Sequence, residues 1–576
     1  MIGTMQWNET YDVVVLGAGA GGMTAALVSS LEGRRTLLLE KSEQIGGTTA
    51  RSSGTVWIPN NPHQRRLDPA DDSEAARTYL DALVGNRADR SLRNAFVDSG
   101  PAMIEYLEAR TDVRFQAYPT SPDYRQDLPG AANGGRPLEP MAFDGRTLGE
   151  HFDRIAWPLR ELMLFDGMMV TRGEAVRLLR IARSVESFLL GARLVTRFVA
   201  DRLRYKRGTR LVLGNALAAR LYRNLLDRQV SIWFGATTQH LVMDGGKVGG
   251  LVVKMREGER RVRATCGVVL AGGGFPASST LRRQHLPQPV AEYTAAFEGC
   301  TGETLSLAQE IGAAMGPSGE DNAFWFPSSV AKRANGTIAV YPHIALDRSK
   351  PGLVAVNSAG RRFVDEASSY HEFTRAMYRS HRTTPTIPAV LVCDRHFVWK
   401  YGLGLIRPLT PSLRSYVDNG YLHVGNTVEE LARNVGVDPA GLAETLKAAN
   451  EHARTGVDTE FGKGSNSYDR FNGDATHAPN PCLGPIGRTP FCAVKVFPTP
   501  LGTSLGVRTN AVGQVVDAAE RPIPGLYACG NDMQSIMGGE YPGPGAQIGI
   551  AMTFGYLAAK HAAMEKRENA NHEPGT

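Results

Sequence analysis

The apolar positions of the chain open with a short unbroken run. Tyr11 to Leu16 (YDVVVL) shows no polar alternation after Asp12, which predicts a buried strand covered on both faces. A helix-like run follows from Met23 to Leu31, and then a second apolar strand, Thr36 to Leu39, ends in Glu40. The same pattern returns at Val268 to Leu270 and again at Leu526 to Ala528, each time running into glycine. A long apolar helix is predicted from Ile548 to Ala563, whereas the periodicity between Gly145 and Phe234 is mostly helical. No run of about 18 apolar residues is free of charge, so no spanning helix is expected. The first ten residues lack a basic region followed by an apolar core, so no secretory signal is expected either.

Composition places these elements in a large globular protein. Of the 576 residues 42% are hydrophobic and 21% charged, which excludes wholesale disorder and gives enough chain for several domains. Glycine is abundant, at 63 residues with no collagen-like period, and this suggests many tight turns and close backbone approaches to a ligand. Lys and Arg exceed Asp and Glu by only 64 − 58 = 6, too little for a nucleic-acid partner to be expected. Six Cys without C-x-x-C spacing predict neither a disulfide framework nor a metal site, and they fit a reducing, cytoplasmic location.

The first strand and helix enclose Gly17-Ala18-Gly19-Ala20-Gly21-Gly22, a G-x-G-x-x-G. The order of strand, glycine turn, helix, strand and acid is that of a dinucleotide-binding unit. Gly17 permits the tight turn, Gly19 lets backbone approach a pyrophosphate, and Gly22 lets the helix pack close to the sheet. The helix start offers N–H groups and partial positive charge to phosphate. Glu40 is placed to accept hydrogen bonds from ribose hydroxyls.

The following loop, Gly46-Gly47-Thr48-Thr49-Ala50-Arg51-Ser52-Ser53-Gly54, resembles the isoalloxazine loop of the fumarate reductase/ketosteroid dehydrogenase flavoproteins. That resemblance implies FAD, with contacts from Gly47, Thr48 and Gly54. No His lies in the loop where members with covalent flavin carry one, so non-covalent FAD is implied. Gly272 in the turn after Leu270, and Gly530 and Asn531 after Cys529, complete the implied FAD site with Ala546 and Ile548 of the last helix. The implied fold is α/β: a Rossmann-type FAD-binding domain with an inserted α+β catalytic domain and an additional helical insert. The expected FAD-binding domain spans 1–298 and 479–576 with an insert near 146–233, and the expected catalytic domain is 299–478.

Met537 to Ile550 (MGGEYPGPGAQIGI) puts backbone N–H groups at a helix start, where they can polarise a carbonyl. Tyr541 stands four residues before Gly545, so a phenol and an N–H can converge on one oxygen. This segment resembles the 3-ketosteroid Δ1-dehydrogenases, as do Tyr468 to Asp474 (YDRFNGD), Leu353 to Tyr370 and Ser121-Pro122-Asp123-Tyr124. The resemblance implies that Tyr541 and Gly545 hold the substrate ketone, that Tyr370 abstracts the α-proton, and that Tyr124 assists it. Ser121 departs from the pattern, since an aromatic residue often lines the cavity there. Phe497 to Thr503 (FPTPLGT) lacks the His of the dicarboxylate members, which favours a ketone over a dicarboxylate.

The reaction so implied is FAD-dependent 1,2-desaturation of a 3-ketosteroid, with an external, quinone-like or other electron acceptor. Desaturation of a smaller cyclic ketone, Δ4 regiochemistry, and a non-catalytic flavin-binding membrane protein are the alternatives. Ala175 to Arg210 holds ten cations (among them Arg180, Arg183, Arg193, Arg202, Arg204, Arg207 and Arg210) against Glu186 and Asp201, interleaved with Leu, Val and Phe. Such a segment either lies in a membrane interface, making the protein peripheral on the cytoplasmic face, or packs as a helical hairpin on the protein.

Overall fold

The computed structural model describes residues 6–570 except 179–180, 182–183, 334 and 345–346. Of the basic segment, Arg180 and Arg183 therefore lie outside the described residues, as does the end of the polar tail.

The chain enters through β1 (Glu9–Leu16), α1 (Ala20–Leu31), β2 (Thr36–Glu40) and α2 (Gly47–Arg51). It passes α3 (Arg172–Leu178), α4 (Val185–Arg202) and α5 (Leu213–Asp227) before β3 (Ser231–Phe234). Next come the long antiparallel strands β4 (Thr237–Asp244), β5 (Lys247–Met255) and β6 (Gly258–Leu270). A second sheet begins with β7 (Ala323–Lys332), β8 (Ile338–Pro342) and β9 (Val354–Val356). It is followed by α6 (Tyr370–His381), β10 (Ala389–Asp394), β11 (His423–Gly425), α7 (Ser467–Asn472) and β12 (Phe491–Thr503). The chain returns to the first sheet as β13 (Gln514–Val516) and β14 (Pro522–Ala528), and α8 (Ala546–Ala570) closes the fold.

The first sheet has eight strands, ordered β13-β14-β6-β1-β2-β3 with β5 on β6 and β4 on β5. From β14 to β3 the pairing is parallel. That arrangement requires both faces to be covered, and Val13, Val14 and Val15 are fully buried. The predicted strand–helix–strand unit is thus present, with α1 on one face against α8 and α5. Gly22 is what allows α1 to sit so close: a Cβ there would lie 1.9 Å from the Gly17 carbonyl oxygen.

The second sheet has six strands, ordered β8-β7-β12-β10-β9 with β11 on β12. β12 pairs with β7 and β10, so the second sheet runs on to Thr503. Within the expected helical insert, α5 is buried along its length and β3 pairs with β2, so both belong to the first sheet's layers. Only α3 and α4 stand apart, over a small core of Met168, Leu194 and Phe198. Among the described residues no helix is long and apolar enough to cross a membrane.

Candidate active site

A cavity of about 480 Å³ runs from the glycine turn after β1 to the edge of the second sheet. Its inner end is built by the turns after β1, β6 and β14, because parallel strands end together and leave a crevice at their carboxyl ends. Gly17 has φ +106°, and a Cβ on it would lie 2.3 Å from the Ala271 carbonyl oxygen. Helix α1 follows Gly19, has no acid in its first turn and gives only Ala20 N to a side chain, Thr49 Oγ1 at 3.1 Å, so the rest of its positive end is left for a ligand. Glu40 is buried and accepts from Ala18 N and Ser42 N, both at 2.9 Å, which fixes its carboxylate at the rim. Gly47, Thr48, Gly272, Gly530, Asn531 and Ile548 line this cavity with Gly19 and Gly22. Gly54 and Ala546 do not: they are buried behind the wall, Gly54 close against Gly214 and Ala546 in the first turn of α8.

Further along the same cavity the three expected tyrosines meet. Tyr124 donates to the Tyr370 hydroxyl at 2.7 Å. The rings of Tyr124, Tyr370 and Tyr541 form a triangle with centroid separations of 5.4, 5.5 and 5.5 Å. Gly545 lines the cavity beside them, with φ +92° and a would-be Cβ 2.3 Å from the Thr55 carbonyl oxygen. A side chain there would force the backbone away, so the position demands glycine.

Each phenol is held by a different part of the chain. Tyr370 begins α6, whose start is capped by Ser369 Oγ accepting from Glu372 N (3.2 Å). One turn on, Arg375 donates to Asp321 (2.8 Å), Glu540 (2.9 Å) and the Gly539 carbonyl (3.0 Å). That buried cation fastens the helix of Tyr370 to the loop of Tyr541. Tyr124 N donates to the Pro542 carbonyl at 3.0 Å. The preceding Asp123 is clamped by Trp57 Nε1 and Arg136, both at 2.7 Å. Burial pushes Tyr370 and Tyr124 well above the ordinary phenol range, and Tyr541 upward less far because Tyr370 and Gln547 stand beside it. Tyr468 of α7, whose ring is 5.0 Å from that of Tyr124, is pushed by burial to about 12. All four are therefore phenols near neutrality.

A family model described as an FAD binding domain matches residues 12–548. The chain is 35% identical to the 3-oxosteroid 1-dehydrogenase of Mycobacterium tuberculosis over 96% of this chain and 98% of that one. It is also 35% identical to the 4-oxocyclohex-2-ene-1-carboxylate 5-dehydrogenase of Sinomonas cyclohexanicum, over 98% and 96%. The crystal structure of 3-ketosteroid delta1-dehydrogenase from Sterolibacterium denitrificans, in complex with 1,4-androstadiene-3,17-dione, superposes with a TM-score of 0.90. It is 37% identical and covers 97% of this chain and 100% of that one. The chain belongs to the FAD-binding-domain family.

The flavoprotein is an FAD-dependent oxidoreductase. Its inner cavity suits that cofactor on physical grounds: Gly17 and Gly22 leave no room for side chains beside the helix start. Gln547 also presents a buried side-chain amide on the cavity wall, beside Tyr541. Asp532, missed in the sequence, is fully buried and accepts from Gly272 N (2.6 Å) and Gly274 N (2.8 Å), which shapes one glycine turn. Of the outer wall the sequence pointed only to Ser121, which lines the cavity beside Tyr124. Tyr118, Leu159, Leu162, Arg172, Phe326 and Tyr341 line it, from segments that share no spacing.

Proposed function

We propose that the flavoprotein desaturates a ring ketone between the carbons α and β to its carbonyl, with a 3-ketosteroid as substrate and C1–C2 as the bond. The observation that carries this reading is the buried triangle of phenols, two of them bonded at 2.7 Å, on the wall of the FAD cavity. When bound, FAD supplies the acceptor for a hydride. Tyr541 and the Gly545 N–H bind the ketone oxygen and stabilise the charge that gathers on it, which acidifies the adjacent carbon. Tyr370, as the phenolate left once its own proton has passed to solvent, takes the proton from that carbon, and Tyr124, which donates to the same oxygen, steadies the phenolate charge. Leu159, Leu162 and Phe326 give the outer wall an apolar stretch for the ring to lie against.

A smaller ring ketone is the second reading. It is favoured by the relative from Sinomonas cyclohexanicum, which is as similar as the steroid enzyme. The test is anaerobic mixing of the yellow protein with androst-4-ene-3,17-dione or with cyclohexanone, following the flavin's visible absorbance. Bleaching by the steroid, abolished in Tyr370→Phe, is expected; bleaching by cyclohexanone alone would replace the substrate, and no bleaching by either would sink desaturation.

The domain division proposed is an FAD-binding domain carrying Tyr124, Tyr541 and Gly545 and a catalytic domain carrying Tyr370, with the second border moved to about residue 503. Reducing equivalents then leave to an external, quinone-like acceptor. A peripheral membrane contact through α4 belongs to the same reading. Phe188, Leu189 and Leu203 are 58%, 61% and 83% exposed, and the exposed Arg193, Arg202 and Arg204 flank them, a pattern that matches anionic headgroups over an apolar interior. Arg207 drops out of this surface: it is buried over Phe152 and Trp157 and bonded to Asn215. Arg210 is paired with Glu174 and Arg197 with Asp144.

A further inference from the structure

Arg172 opens α3 on the outer wall of the cavity, beside Tyr118. Its guanidinium lies over the Phe471 ring, 4.4 Å from the centroid, and donates to Asn472 Oδ1 (3.1 Å) and the Phe471 carbonyl (3.4 Å). Both acceptors are neutral. Glu174, two residues along, is committed to Arg210 at 2.7 Å and to Thr171 N at 2.9 Å. Glu139, the acid on this part of the wall, accepts from Gln116 Nε2 at 3.4 Å; burial raises its carboxyl above the usual range, and Arg172, acting from beyond ion-pair distance, offsets part of that rise. Among the described residues, then, no carboxylate is paired with Arg172. Lys350 stands nearby, donating to the Asn472 and Gly473 carbonyls, and adds a second positive charge.

The cation is also well placed relative to the phenols. Helix α7 carries Tyr468, which touches Tyr124, and Phe471 one turn later, which carries Arg172. A planar fork on an aromatic face, half-buried and without a counter-ion, is matched to a carboxylate. We propose that Arg172 binds a carboxylate on the substrate, away from its ketone, so that the preferred substrate is an anionic ring ketone. This rests on the ring-ketone reading above and names the class of ketone. A cyclohexanone carboxylate and a ketosteroid with a side-chain carboxylate share that chemistry.

The experiment measures binding through the perturbation of the oxidised flavin spectrum, and turnover separately through bleaching. The probes are 4-oxocyclohexanecarboxylate and its methyl ester, and 3-oxochol-4-en-24-oate and its methyl ester. In one pair the acid is expected to bind at least about tenfold more tightly than its ester, the size of one charge-assisted contact. The pair that shows the preference identifies the source of the carboxylate. The acid-to-ester ratio is expected to collapse in Arg172→Gln and to fall to an intermediate value in Arg172→Lys, which keeps the charge but loses the planar fork, with flavin content reporting an intact fold. Equal binding of acid and ester in both pairs would overturn the proposal, as would loss of acid and ester alike in Arg172→Gln. Preference for an acid without bleaching would leave the anion site standing and remove desaturation. Bleaching without preference would do the reverse.

Discussion

At the scale of single residues the proposed chemistry depends on a phenol that is uncharged at rest. Burial raises Tyr370 well above the ordinary phenol pKa of about 10. Before it can accept a proton it must give up its own, and the fraction able to do so grows as pH rises towards that raised pKa. The expected outcome is a kcat/KM that climbs about tenfold per pH unit through the neutral range, with no plateau below about pH 10. Steady-state assays across buffers will check it, and a profile flat from pH 6 to 9 would remove Tyr370 as the base. Tyr124, Tyr370, Tyr541 and Gly545 were legible in the sequence because each sits in a recognisable segment. Arg172 and Tyr118 were not, since a cavity wall needs only shape and charge and imposes no spacing on the chain.

At the scale of elements, the basic segment divides. Its apolar positions go two ways along α4: Leu194 and Phe198 turn inward onto Met168, while Phe188, Leu189 and Leu203 stay exposed. Hydrophobic periodicity fixed the helix, but which face meets protein depended on where α3 and the 145–170 stretch came to lie. Each exposed large side chain would gain about 1.5–3 kcal/mol on entering an apolar phase. Phe188→Ser with Leu189→Ser is therefore expected to lower co-flotation with anionic lipid vesicles at least tenfold, with flavin absorbance unchanged. Equal flotation of variant and wild type would show that α4 is not the contact. Arg375 makes the complementary point, since neither Asp321 nor Glu540 is near it in sequence, yet together they lock α6 to the loop of Tyr541.

At the scale of the whole molecule, the cofactor cavity is also the seam of the fold. Turns from β1, β6 and β14 converge on it, and the second sheet closes its outer end through Phe326 and Tyr341. A ligand bound only by the folded state stabilises it by mass action, by about 2.7 kcal/mol at a hundredfold excess over Kd. Protein stripped of FAD is expected to melt several degrees lower and to recover on adding FAD, while NAD leaves the melting temperature unchanged. Scanning calorimetry will decide it, and recovery with NAD instead would contradict the cofactor assignment. The dinucleotide-binding unit was readable from residues 11–40 because a parallel strand, a glycine turn and a helix start are local structures dictated by adjacent residues. Tertiary structure alone decided that β12 joins the second sheet, that α5 and β3 join the first, and that Arg172 lines the cavity with no ion-paired carboxylate among the described residues. Those outcomes depend on contacts between segments hundreds of residues apart, where the energy lies in burial and pairing and leaves no periodic trace along the chain.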